Sequence, residues 1–246
     1  MKDLDRKIAE AVKYFWTTRE RQSDNQGSRT GTRDYGGRTA VTGGAQLGGF
    51  TDLVAACLVE SGIENAEVFR RARVDVVLPG FFRPTKEWDL LVVADGDLIA
   101  AMEAKSQVGP SFGNNFNNRS EEAVGNAVDL WTAYREGAFR TSPRPWLGYF
   151  ILLEEAKGST SPVSVKEPHF PVFPEFRDTS YARRYELLCR KLMRERLYDG
   201  AALILSGRKD GLKGGYREPA DDVSFRSLVR SLSATAIAYA KSRKGE

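Results

Sequence analysis

The sequence predicts an α/β fold in which a central mixed β-sheet is flanked by helices. Three observations predict it. Segments with apolar residues every three or four positions alternate with short strand-like runs, in the order helix, three strands, helix, strand. Two adjoining runs rich in strand-forming residues, Trp88 to Ala94 and Leu98 to Lys105, are separated only by the turn residues Asp95, Gly96 and Asp97. The chain of 246 residues, 41% apolar and 28% charged, has the composition of a globular protein with enough core to bury such a sheet.

Taken in order, Asp3 to Arg21 places Leu4, Ile8, Val12 and Phe15 at helical spacing among charged residues and predicts a first helix. Gln26 to Gly49 is crowded with glycine, carries Arg29, Arg33 and Arg38, and shows no period, so it reads as a loop: a solvated connector or a basic arm around DNA. Phe50 to Ser61 is a second helix, with Phe50, Leu53, Val54, Cys57 and Leu58 on one face and Gly62 at its stop. Glu67 to Leu78 alternates at Val74, Val76 and Leu78, closes on Pro79-Gly80, and forms a three-strand meander with the two runs named above. Arg119 to Gly137 returns to helix through Ala123, Ala127, Leu130, Trp131 and Tyr134. Leu147 to Leu153 is a fourth strand, Pro162 to Asp178 a loop rich in Pro and Phe, and Ser180 to Leu197 a helix. Ala201 to Ser206 is a fifth strand and Asp221 to Lys241 the last helix. A single domain over 1–246 is expected, with the N-terminal helix and Gly/Arg-rich loop in 1–49, the core in 50–206 and a C-terminal helical segment in 207–246.

Composition excludes several chemistries. Cys57 and Cys189 are the only cysteines and both lie in apolar helical patterns, which argues against disulfide scaffolding and a zinc cluster. His169 is the only histidine, so hydrolytic triads and multi-histidine metal sites are disfavoured; between Pro168 and Phe170 it reads as a loop-packing residue. The nearby Phe170, Phe173 and Phe176 read as core or dimer contacts. No apolar stretch approaches the roughly 18 residues that span a bilayer, and the charged start lacks an export signal, so a cytoplasmic protein without a membrane partner is expected. The net charge of +4 and pI near 9.0 permit nucleic-acid binding.

Asp89 heads one run, and Glu103-Ala104-Lys105 ends the next. Side chains alternate across a strand, so Glu103 and Lys105 share a face. Whether Asp89 joins them depends on register. A two-residue Asp95-Gly96 turn sets Asp89 opposite Met102, on the wrong face, whereas a three-residue loop or an equivalent bulge sets it opposite Glu103. The odd loop or bulge is the expectation. Two carboxylates at cross-strand distance repel unless a hard divalent cation lies between them, and Mg²⁺ suits oxygen donors. Asp89 and Glu103 are therefore the candidate metal ligands, and Asp89, Glu103 and Lys105 the candidate catalytic residues for metal-assisted phosphodiester hydrolysis. Because Ile99, Ala100, Ala101 and Met102 precede Glu103, the acid and base end an otherwise apolar strand, where charged groups sit only if paired or metal-bound.

This arrangement resembles the PD-(D/E)xK nuclease superfamily, although Trp88, not proline, precedes the aspartate and Pro84 lies five residues earlier. The stretch from Lys105 through Gly109-Pro110-Ser111-Phe112-Gly113-Asn114-Asn115-Phe116-Asn117-Asn118-Arg119 is more specific, as are Arg83-Pro84-Thr85-Lys86, Pro168 to Pro174 and Tyr185 to Leu192. They are similar to XhoI/PaeR7I-type type II restriction endonucleases. The resemblance implies a restriction-endonuclease-like core and cleavage of double-stranded DNA at the palindrome CTCGAG after its first cytosine, leaving 5′ TCGA overhangs. It also implies a homodimer and a cognate DNA methyltransferase that protects the host. A structure-selective or repair nuclease of the same superfamily is the alternative. Asn114, Asn115, Asn117, Asn118 and Arg119, expected in a loop shaped by Gly109, Pro110 and Gly113, are candidate base readers, since asparagine pairs with adenine and arginine with guanine. Arg83 and Lys86 are candidate phosphate contacts.

Overall fold

The computed structural model describes residues 3–30, 43–60, 66–70 and 76–244. Its elements run α1 (Leu4–Thr30), α2 (Gly43–Gln46), α3 (Gly48–Val59), β1 (Ala66–Arg70), β2 (Val77–Pro79), β3 (Thr85–Glu87), β4 (Leu90–Ala94) and β5 (Asp97–Gln107). They continue through α4 (Phe112–Arg135), β6 (Trp146–Glu154), α5 (Lys157–Thr160), α6 (Tyr181–Arg194), β7 (Gly200–Ser206), α7 (Arg208–Gly211) and α8 (Phe225–Lys244). The sheet order is β1-β4-β5-β6-β7; β1, β4 and β5 are antiparallel neighbours, and β5, β6 and β7 are parallel. This is the predicted mixed sheet between helices.

Burial on both faces explains the composition of the central strands. Every residue of β6 and β7 is buried, and both read as continuous apolar runs, as parallel strands covered on two sides do. One face packs against α1, α3 and α8 through Phe15, Phe50, Phe150, Phe225 and Leu232. The other packs against α4 and α6 through Ala127, Leu130, Tyr149, Tyr185 and Leu203. Those two helices are the crossovers between the parallel strands, so the return path of the chain builds one whole layer.

Four expectations need correction. First, α1 does not stop near Arg21 but continues to Thr30, past the break expected at Gln26. Extending a formed helix adds one hydrogen bond per residue, so Gly27 alone costs about 1 kcal/mol and does not end it. The rest of the expected loop holds α2 and the start of α3, while residues 31–42, with Arg33 and Arg38, lie outside the described residues, as do Gly62 and Val74. Second, Glu67 to Leu78 is not one strand. β1 joins the sheet, whereas β2 pairs with β3 in a separate hairpin. Third, the Asn-rich segment is helical: α4 begins at Phe112, not Arg119. Phe112, Phe116, Ala123 and Ala127 form a stripe at helical spacing that packs on the sheet and α6, and this tertiary contact overrides the poor helix propensity of glycine and asparagine. Fourth, His169 and Phe170 are exposed and Phe173 is too, so this loop packs none of them into the core.

The β2–β3 hairpin is tied to α4 by one buried carboxylate. Asp129 Oδ1 accepts from the main-chain N–H groups of Phe81 and Phe82, both at 2.8 Å, and Oδ2 accepts from Arg83 Nε at 2.8 Å. Asn126 Oδ1 accepts from Arg83 Nη2 at 2.7 Å. At Gly80 a Cβ would meet Arg83 O at 2.6 Å and Asp129 Oδ2 at 2.7 Å, so only glycine allows this approach. Burial alone would raise the Asp129 pKa, but the Phe82 and Phe81 N–H groups and Arg83 outweigh it and hold it below its ordinary 3.8.

Asp129→Ala is expected to destabilise the protein by about 2–3 kcal/mol in urea unfolding at neutral pH, because charge-assisted bonds are lost and two N–H groups are orphaned. A carboxylate with a lowered folded pKa stabilises above its unfolded value and loses that contribution as pH falls through the folded one. The stability gap between the native protein and Asp129→Asn should therefore narrow below about pH 3.8; a gap unchanged in acid would contradict the role given to this carboxylate.

Candidate active site

The site forms where the start of β4 meets the middle of β5. The turn between them has two residues, Asp95 and Gly96, both with positive φ (51° and 82°). Left alone, that turn would put Asp89 on the wrong face. The register runs Ala94↔Asp97 and Val93↔Leu98, then shifts to Val92↔Ala100, Leu91↔Ala101 and Leu90↔Met102, with Ile99 as the extra residue of a bulge. Continued by one residue, this register sets Asp89 opposite Glu103. The Asp89 N–H donates to Met102 O at 3.2 Å, and Ala104 N–H donates to Asp89 Oδ2 at 2.8 Å, so the carboxylate takes the place of a ladder carbonyl at the strand end.

Alternation about this register separates the faces. Leu90, Met102 and Ala104 join the core against α1, α3 and α8, while Leu91 and Ala101 join the core against α4 and α6. Asp89, Glu103 and Lys105 fall on the second face. Asp89 is 5% and Glu103 2% exposed. Trp88, which takes the position expected of proline, is buried and donates its main-chain N–H to Val76 O at 2.9 Å, which fixes the chain entering Asp89.

Glu103 is held by two cations. Lys105 Nζ is in contact with Oε1, and Lys86 Nζ donates to Oε2 at 2.8 Å. The lysine side chains are 19% and 11% exposed, so both reach from the surface to a buried acid. Burial would raise the Glu103 pKa, but the Lys105 and Lys86 ammoniums outweigh it and leave it below the usual carboxylate range. Lys86 also lies 4.6 Å over the Trp88 ring and donates to Glu87 O at 2.8 Å. The sequence pattern points Lys86 at a phosphate; its place in the carboxylate cluster has no local signal, because the hairpin that carries it there has strands of only three residues.

The other predicted site residues divide. Asn114, Asn117 and Asn118 are exposed at helical spacing on one face of the first turns of α4, with Asn115 half-buried beside them. Arg119 is turned partly inward: its Nη1 donates to Glu122 Oε2 at 2.5 Å, and its Nε is buried near Tyr149. Arg83 is engaged by Asp129 and Asn126. Asn126 and Asp129 lie outside the residues that the sequence singles out; the signal for them is a pair of polar residues three apart beside the apolar stripe of α4. Cys189, expected to be a core thiol, is buried, and burial pushes its pKa to about 12, so it is not a nucleophile.

Two buried acids on one face of the sheet, one of them paired with two ammoniums, make this the candidate site. Comparison with known proteins names the class. A family model described as "Restriction endonuclease XhoI" matches residues 26–218. The chain belongs to this restriction endonuclease family. Type II restriction enzyme BstVI of Geobacillus stearothermophilus is 53% identical over 205 residues, covering 81% of this chain and 91% of that enzyme. Type II restriction enzyme XhoI of Xanthomonas vasicola is 45% identical over 241 residues, 98% of this chain and 88% of that enzyme. Type II restriction enzyme AbrI of Azospirillum brasilense is 49% identical over 168 residues, 68% and 74% respectively. No solved structure matches. The chain is thus a type II restriction endonuclease with DNA as its substrate, and enzymes of this class are generally dependent on a divalent metal. No helix among the described residues is long and apolar enough to cross a membrane.

Replacing Glu103 by glutamine leaves two ammoniums without their buried counter-charge. Breaking a buried pair costs roughly 3–5 kcal/mol, and because both lysines can turn outward a loss of about 3 kcal/mol is expected. Lys86→Met, which leaves Glu103 paired with Lys105, should cost less than half as much. Urea unfolding checks the order; equal losses would show that Glu103 is not the shared partner.

Proposed function

We propose that the protein cuts double-stranded DNA at CTCGAG, after the first cytosine of each strand, leaving 5′ TCGA overhangs, and that Asp89, Glu103 and Lys105 carry the reaction. The observation that carries the reading is the bulged register of β4 and β5, which sets the two acids opposite each other with Lys105 beside them. Family membership supports the choice of site. The alternative, a structure-selective or repair nuclease, has no observation in its favour.

Asp89 and Glu103 would hold Mg²⁺. The donor set fits: both groups are carboxylates on one face, and Glu103 already attracts two cations. Among the described residues no group of three or more His, Cys, Asp or Glu is placed to hold a metal ion, so the proposed site rests on these two acids. When bound, the ion supplies neutralisation of phosphate charge and a lowered pKa for its water. Lys105 releases Glu103, donates to the scissile phosphate and orients the attacking water. Lys86 turns from Glu103 to the neighbouring phosphate, so both ammoniums gain an anion as they lose one. Asn114, Asn117 and Asn118 present three amides from one helix face, the group that pairs with adenine in the major groove. A palindrome is matched by a two-fold dimer that brings one site to each strand. A partner methyltransferase would protect the same sequence in the host.

Run-off sequencing of plasmid ends after digestion is expected to return CTCGAG and a four-base overhang, with cleavage abolished by EDTA and in Asp89→Ala. Cuts at another sequence would reject the site, and cutting retained by Asp89→Ala would reject the residues. Lys86→Met, which removes one competitor from Glu103, is expected to tighten Mn²⁺ binding several-fold in equilibrium titration without DNA, while Asp89→Asn weakens it. Weaker binding in Lys86→Met would show that Lys86 does not compete with the ion.

A further inference from the structure

The hairpin that delivers Lys86 to Glu103 ends in two bare aromatic rings. Phe81 is 51% and Phe82 70% exposed, in edge contact with ring centroids 5.0 Å apart. Their backbone is not free to fold them away: both N–H groups are bound to Asp129 Oδ1 at 2.8 Å, Arg83 is bound to Asp129 and Asn126, and Gly80 is packed without room for a side chain. Exposure of this pair is therefore fixed by the fold. The other end of the hairpin is fixed by the pairing of β2 with β3 and by the 2.9 Å bond of Trp88 N–H to Val76 O. Three residues separate Phe82 from Lys86, and the four steps span at most roughly 13 Å at about 3.3 Å per residue. Successive phosphates of one DNA strand are about 3.4 Å apart along the axis, so that span corresponds to about four base steps of a duplex held at Lys86.

From this we infer that Phe81 and Phe82 form a wedge that inserts against the bases of the bound duplex, within about four base pairs of the cut, and unstacks a base step there. The inference rests on the reading of Asp89, Glu103 and Lys105 as the cutting site. Rigid apolar side chains held beside cationic ones have the means to unstack bases, since Lys86 draws the backbone in and the rings replace base–base stacking with base–aromatic stacking. The occupant is the duplex rather than another protein surface because the hairpin is continuous with the site that must hold a phosphate. An unstacked step would contribute to selectivity through the ease with which its sequence deforms, without any hydrogen bond to the bases.

Permanganate oxidation of unstacked thymines, on CTCGAG duplexes that keep the two thymines of the site and carry thymines at the flanking positions within about four base pairs of the cut, tests this with Ca²⁺ in place of Mg²⁺ so that the DNA stays whole. The native protein is expected to make at least one such thymine reactive. Phe82→Ala and the double variant Phe81→Ala/Phe82→Ala are expected to abolish that reactivity and to weaken binding by about tenfold to a hundredfold. Unchanged thermal unfolding of the variants shows that they are folded. Absence of a reactive thymine with the native protein, or the same pattern with the double variant, overturns the proposal. So does a shift of the double variant to a smaller species in sedimentation with its DNA reactivity intact, which would assign the rings to a contact between copies. Cleavage in Mg²⁺ is measured in parallel: its loss in Asp89→Ala confirms the cutting site independently of the wedge, and its persistence there removes the basis of both.

Discussion

The carboxylate of Glu103 is the constraint on which the rest of the site depends. A charge buried to this degree in an apolar strand is tolerated only if paired, and the cost of leaving it bare is several kcal/mol. Its two partners arrive by different routes. Lys105 comes along β5, two residues on, at no topological cost. Lys86 comes from a hairpin outside the main sheet, so its arrival requires that hairpin to dock. Docking in turn depends on Asp129 and Asn126 of α4, and α4 is the crossover that makes β6 parallel to β5. One acid on one strand thus ties together three parts of the chain distant in sequence.

The sequence showed the acid and its near lysine, because alternation along a strand needs only local spacing. It showed the sheet and most helices for the same reason. The register problem was also legible: a two-residue turn and a shared face are incompatible unless a residue is inserted, and Ile99 is that residue. Three features were hidden because non-local contacts decide them. Gly and Asn from Gly113 to Asn118 read as a loop by propensity, yet Phe112 packs near Tyr181 and Phe116 on Tyr185, and those contacts hold the segment helical. The strands β2 and β3 are too short to carry a period of their own. Lys86 reads as a phosphate contact, since nothing near it in sequence announces that its amine meets an acid seventeen residues later.

The two faces of the sheet do different work. The face against α1, α3 and α8 is apolar almost throughout, and its large side chains, Phe15, Phe50, Phe150 and Phe225, supply stability. The face against α4 and α6 carries buried polar groups: Tyr149, Tyr185, Tyr198, Gln107 and the inner part of Arg119. Tyr149 and Tyr198 stay protonated, since burial pushes both far above the ordinary phenol range. The structural hydrophobic layer and the polar layer are therefore on opposite sides of the same strands, and changes in one need not disturb the other.

In the proposed function that polar layer sets the geometry between the asparagines of α4 and the carboxylates of the sheet. Gln107, two residues beyond Lys105 on β5, donates from Nε2 to Phe112 O at 2.8 Å in the first turn of α4 and accepts from the Tyr185 hydroxyl. Glu154 at the end of β6 accepts from Gly109 N–H at 2.8 Å and so holds the chain between them. The Asn-bearing face of α4 is consequently fixed to the same strand that carries Glu103 and Lys105. A reader on a mobile loop would contribute to affinity, yet it could not tell the cutting residues that the right bases are in place. In the proposed function, readers and cutters are anchored to one strand through buried hydrogen bonds and move as a unit, so a duplex that fits the helix face poorly would also sit poorly at the carboxylates. In an enzyme that must spare nearly every sequence it meets, that proposed rigid link, more than the strength of any single base contact, would make recognition a condition for cutting.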